Sequence, residues 1–269
     1  MIFNFFNKSK QKHNEEIIFL HVPKTGGSTF VGLLKDSIKI KKEEENIPSH
    51  IIDQIGNVQV KHIDFSTEER KFQYSELFDA TKNLKLNPEH IIFMLIRNPV
   101  DRMISEFNFQ YHMLKGKDGN KNAAIISKLK PMPNTLEDYI KSPHTQNYQV
   151  KFLLGRKIAD PRPVTKDEYN RISNGIEQMQ IHCGLTEEYS KFLNTFQNKT
   201  GLKLKKNMVV RKKTPSSLKA NVTQELKDEI IQLNKFDQML YELVKNKINR
   251  DDSSFATTYN YKDDAGFVV

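Results

Sequence analysis

The chain has 269 residues and one cysteine, Cys183, which excludes an intrachain disulfide and a cysteine-based zinc site. Its 42 Lys and Arg against 33 Asp and Glu leave a formal charge of +9, pointing to an anionic partner: nucleic acid, acidic membrane, polyanionic glycan or phosphorylated small molecule. Apolar residues make up 37%, with 17 Phe and 9 Tyr, enough for a folded core, yet no run approaches the ~20 residues of a membrane span.

Residues 1–14 place their apolar positions ahead of their charges over too short a stretch for a signal peptide. They read as a flexible tail on a soluble, cytoplasmic chain whose single domain covers 15–250, with a polar tail over 251–269. Ile17-Ile18-Phe19-Leu20 is a short apolar run bounded by charge, the pattern of a buried strand. It leads through a glycine-containing turn into Phe30, Leu33, Leu34 and Ile38, which follow helical spacing. The charged segment 41–50 reads as a surface connection, and Val58 to Phe65 as a second strand. A helix is expected over 75–86, then the clearest buried strand, Ile91 to Ile96.

Asn98 can cap a following helix and Pro99 suits its first turn; Val100, Met103, Ile104 and Phe107 then form an i, i+3, i+4, i+7 stripe. The Lys-, Gly-, Asn- and Pro-rich stretch 115–135 reads mostly as a mobile insertion. Helices are expected over 135–142, 145–154 and 166–179. A strand end at Cys183 to Glu187 then feeds a helix through Phe196, and one long amphipathic helix spans Thr223 to Ile248. Strands alternating with helices favour an α/β fold built on a largely parallel sheet wrapped by helices.

Two segments carry chemistry. In Pro23-Lys24-Thr25-Gly26-Gly27-Ser28-Thr29, between strand and helix, the glycines let backbone wrap an anion while the helix N-terminus aims N–H groups at it. Ser28 and Thr29 add hydroxyls and Lys24 a mobile charge. The lysine precedes the glycines, so this is not a Walker A loop. The second segment is Arg97-Asn98-Pro99-Val100-Asp101-Arg102-Met103-Ile104-Ser105. Ligands of open parallel sheets bind beyond the carboxyl ends of strands, where Arg97 stands, and Ser105 lies two helical turns further on. A guanidinium and a hydroxyl so placed can grip a second phosphate. Two anion sites imply a ligand with two separated anionic groups.

These motifs resemble those of sulfotransferases that use 3'-phosphoadenosine 5'-phosphosulfate (PAPS), closest to the heparan sulfate 2-O- and 6-O-sulfotransferase branch. His21 to Phe30 resembles that branch's 5'-phosphosulfate loop, which gives Lys24, Thr25, Gly26, Gly27, Ser28 and Thr29 to the donor. Arg97 to Phe107 resembles its 3'-phosphate site, with Arg97 and Ser105 in the binding positions. Asn147-Tyr148-Gln149-Val150, Gly184-Leu185-Thr186-Glu187 and Asp237 to Tyr241 resemble later landmarks in the same order. The resemblance implies a P-loop-like sheet with helices on both faces. It also implies a hydroxyl-bearing acceptor, a glycan above all, with neither metal nor nucleic acid required.

On this reading Lys24 stabilises charge on the departing phosphate and a histidine deprotonates the acceptor. His62, on the second strand, resembles the branch's catalytic histidine, and Asp64 could orient it. His21 is the rival, expected instead to pack or hydrogen-bond. The basic stretch Lys203, Lys205, Lys206, Arg211, Lys212, Lys213 lies where the family closes a loop over the nucleotide. Lys213 and Thr214 match that loop best, solvated surface being the alternative. The animal enzymes' membrane anchor and paired cysteines have no counterpart in this sequence. Two other functions stay open: a non-catalytic polyanion-binding protein on the same fold, and an ATP-using P-loop-like kinase.

Overall fold

The apolar run near the start becomes the middle of a sheet. A computed structural model describes residues 16–37, 51–55, 58–63, 90–115, 126, 129–156, 160–178, 181–204 and 222–263. Strand β1 (Glu16–Leu20) lies between β3 (Val58–Ile63) and β4 (His90–Ile96), parallel to both. β5 (Ile181–Leu185) adds in parallel beyond β4, and β2 (Ile51–Ile55) runs antiparallel to β3 at the other edge, giving the order β2-β3-β1-β4-β5. β2 falls where sequence reading gave no strand. The pair Gly56-Asn57 between β2 and β3 suits a two-residue hairpin and was the signal for it.

Among the described residues the α-helices are α1 (Gly27–Ser37), α2 (Pro99–Lys115), α3 (Leu136–Lys141), α4 (Tyr148–Leu153), α5 (Lys166–Gln178), α6 (Tyr189–Thr200), α7 (Gln224–Leu233) and α8 (Lys235–Asp263). Side chains alternate along a strand, and β1 and β4 divide accordingly. Ile18, Leu20, Ile92, Met94 and Ile96 pack with Val150, Ile172, Ile176, Leu240 and Val244 of α4, α5 and α8. Ile17, Phe19, Phe93 and Leu95 pack with Phe30 and Leu34 of α1 and with Phe192 and Phe196 of α6. Cys183 of β5 is buried in the first cluster, and burial pushes its thiol up to about 12. In the third cluster Val100, Met103 and Phe107 of α2 meet Leu136 and Ile140 of α3 and Leu226 and Ile230 of α7.

One sequence expectation changes and another gains detail. Within 115–135, Ile126 (0% exposed) belongs to the third cluster and Leu129 (2%) is equally buried. A polar composition concealed two aliphatic anchors. The long C-terminal helix is also two helices. Asn234 leaves helical geometry (φ −118°, ψ 38°) and ends α7, while α8 continues past Ile248 to Asp263. The expected helix over 75–86 lies outside the described residues.

Candidate functional site

The strand order fixes where a ligand belongs. After β1 the chain builds β3 on one side, then crosses to place β4 on the other. The sheet therefore changes direction between β1 and β4, and ligands of open α/β sheets bind in the crevice at such a point. The segments that leave these two strands are Val22 to Thr29 and Arg97 to Pro99, the two motifs singled out above.

The first loop is held in shape by its own residues. Lys24 and Gly26 both take positive φ, 66° and 87°. Glycine adopts that conformation without penalty, whereas for Lys24 it costs about 1–2 kcal/mol, strain of a kind that collects at functional turns. Thr25 is fully buried and its hydroxyl donates to the Val22 carbonyl at 2.7 Å. It is therefore a brace within the loop, with its side chain turned away from solvent. The Gly26 carbonyl accepts from the Thr29 and Phe30 N–H groups at 3.0 and 3.2 Å, which starts α1. The His21 ring lies against Phe19, with ring centroids 5.7 Å apart, and covers Gly27 so closely that a Cβ there would sit 2.1 Å from its Cδ2. His21 is thus a packing residue. Ser28 is half-buried and Thr29 buried in the first turn of α1.

The second motif joins the first directly. The Arg97 guanidinium donates through Nη1 to the Lys24 carbonyl at 3.2 Å, and burial lowers its pKa against the opposing pull of Asp101 and Glu187. Asn98 caps α2: its Oδ1 accepts from the Val100 and Asp101 N–H groups at 3.0 and 3.4 Å. Ser105 and Phe109 are half-buried and one turn apart on α2, and the Lys24 ammonium stands 3.9 Å from the centre of the Phe109 ring. Lys24 is therefore tied to Arg97 and stands over the face of α2 that carries Ser105 and Phe109. Phe93, Phe107 and Tyr139 are core residues, as aromatic residues at helical or strand spacing usually are.

His62 is level with Phe19 of β1, one position before the end of β3, so its backbone reaches the carboxyl edge of the sheet that carries both loops. Asp64, Lys213, Thr214 and the basic residues Lys205, Lys206, Arg211 and Lys212 lie outside the described residues.

Other residues, not read as site residues from sequence, hold the two motifs together. The Thr186 hydroxyl lies 2.8 Å from the Thr25 carbonyl and 3.2 Å from that of Ile96, and donates to either. Glu187 Oε1 accepts from the Asn98 N–H at 3.0 Å, and the Tyr189 hydroxyl donates to the Gly26 carbonyl at 3.3 Å. Gln149 bonds the backbone of Arg97, through Oε1 to its N–H (3.1 Å) and through Nε2 to its carbonyl (2.9 Å). A family model described as the sulfotransferase family matches residues 8–243. The chain belongs to the sulfotransferase family. Comparison with curated proteins gives no match.

Membership makes this chain a transferase of sulfuryl groups, and the matched span takes in both loops and every contact between them. Among the described residues of the sulfotransferase no group of three or more His, Cys, Asp or Glu is placed to hold a metal ion. Among them, too, no helix is long and apolar enough to cross a membrane.

Proposed function

We propose that this sulfotransferase moves a sulfuryl group from PAPS to an acceptor hydroxyl, on a carbohydrate, as in the heparan sulfate branch its motifs resemble. The observation that carries the reading is the convergence of two cationic motifs at the sheet's switch point, with Arg97 Nη1 bonded to the Lys24 carbonyl. The division of β1 and β4 side chains between two helix-lined clusters supports a P-loop-like core with helices on both faces. In this reading the N–H groups at the start of α1 and the Ser28 and Thr29 hydroxyls hold the 5'-phosphosulfate. Arg97 and Ser105 hold the 3'-phosphate, and Lys213 with Thr214 closes over the nucleotide.

Sulfuryl transfer, like phosphoryl transfer, depends on alignment and charge stabilisation. The acceptor oxygen attacks sulfur in line with the departing phosphate oxygen. As the S–O bond to phosphate breaks, Lys24 neutralises the charge that grows on that oxygen. His62 takes the acceptor's proton. No metal is assigned a role. Transfer from ³⁵S-labelled PAPS to a panel of glycans tests this directly. Wild type should label at least one acceptor, Lys24→Ala should label none, and His62→Ala should be slower by about 10²-fold or more. Binding without turnover on any acceptor would instead favour a passive polyanion-binding protein, and transfer of ³²P from γ-labelled ATP a kinase.

A further inference from the structure

Gln149 is fully buried and its carboxamide makes a two-point clamp on one residue, taking both the N–H and the carbonyl of Arg97. A side chain that bonds both backbone groups of one residue fixes the torsions on either side of its Cα. Those torsions set the direction in which the Arg97 side chain leaves the end of β4.

The clamp is itself anchored. The Gln149 and Val150 N–H groups donate to the two oxygens of Asp237, at 3.0 and 2.9 Å, and Asp237 is 1% exposed. Asn147 Oδ1 accepts from the Phe236 and Asp237 N–H groups at 2.9 and 3.3 Å, while Asn234 Oδ1 accepts from the Asn147 N–H at 2.7 Å. The beginnings of α4 and α8 therefore cap each other. The buried Arg102 guanidinium stands 4.5 Å from the centre of the Tyr148 ring and supplies positive charge to Asp237. Gln149 is thus fixed by bonds independent of Arg97, as a residue must be if it is to set another's orientation.

We propose that Gln149 is a positioning residue for Arg97, and that the clamp, seated on the α4–α8 interlock, sets the protein's selectivity for nucleotides that carry a 3'-phosphate. The inference rests on the reading of Arg97 as the 3'-phosphate ligand given above.

Calorimetric affinities for 3'-phosphoadenosine 5'-phosphate (PAP) and for AMP, which lacks the 3'-phosphate, test it in the full chain. Gln149→Met keeps the volume and removes both bonds; Gln149→Glu keeps the acceptor and removes the donor. Wild type should prefer PAP. Both variants should bind AMP within about twofold of wild type and lose about tenfold or more in PAP affinity, the scale of a misdirected charged hydrogen bond. In an Arg97→Ala background, Gln149→Met should change neither affinity. Parallel loss of PAP and AMP binding, an unchanged PAP preference, or failure of both variants to fold would each overturn the proposal and leave Gln149 a purely architectural residue. A wild-type protein with no preference for PAP would overturn the Arg97 reading itself, and that result is distinct from an intact preference that the variants keep.

Discussion

Gly27 shows how little freedom single positions in the first loop have. A Cβ at Gly27 would fall 2.1 Å from the His21 ring, which is itself packed on Phe19. Gly27→Ala must push that ring aside. We expect a loss of about 1–3 kcal/mol, the usual cost of overpacking, seen as a melting temperature several degrees lower and weaker PAP binding. His182 of β5 offers a second residue-level test. Burial, helped by Lys199 and Lys247 and opposed by Asp251, lowers its pKa from 6.5 to about 4, and its ring lies 5.2 Å from that of Phe93. The unfolded chain then binds a proton on this residue in a range where the folded one does not. Its contribution to stability is complete above pH 6.5 and is lost as pH falls through about 4. Denaturation of wild type and His182→Gln across pH 4–7 should show a steeper acid-side decline in wild type; superimposable profiles would remove His182 from the account. The local role of Gly26 was legible in sequence, because a glycine between strand and helix speaks for itself. That Thr25 turns inward was not, since its acceptor is set by the loop's folded shape.

Between elements, the contacts that matter join residues far apart in the chain. Thr186, in the turn after β5, reaches Thr25 and Ile96, 161 and 90 positions away, and so fastens the exits of β1 and β4 to each other. Thr186→Val preserves shape and removes the hydroxyl. It should cost about 1 kcal/mol in chemical denaturation. Both loops lose an anchor, so PAP and AMP binding should weaken together; a selective loss of PAP binding would contradict this role. Such links explain what the sequence concealed. Strand and helix periods located β1, β4, α2 and α6, since each depends on neighbours within a few positions. Local pattern placed Gln149, Thr186 and Asp237 in expected helices and a strand end but gave none of them a role, because their partners lie 52 to 161 residues away and no local spacing encodes them. The break at Asn234 was hidden for the same reason: apolar periodicity runs across it, and the N–H that its Oδ1 accepts belongs to Asn147, which precedes another helix.

For the molecule as a whole, the parallel strands aim both loops toward one edge, and the interlocked starts of α4 and α8 carry the C-terminal helices to that edge. The opposite outcome, with the motifs on different sides of the sheet, would have separated Lys24 from Arg97. The same layering encloses the chain's one cysteine. Cys183 lies on the edge strand β5 beneath side chains of α5 and α8, where burial pushes its thiol up to about 12. An alkylating reagent can reach it only when those helices lift away. Iodoacetamide added to native protein should therefore modify Cys183 at the rate of spontaneous opening, with nucleotide slowing the reaction in proportion to the stabilisation it confers. Mass spectrometry would then follow a single adduct as a clock for unfolding, with no engineered probe, and labelling as fast as that of a small thiol would show that the layer over β5 stands open.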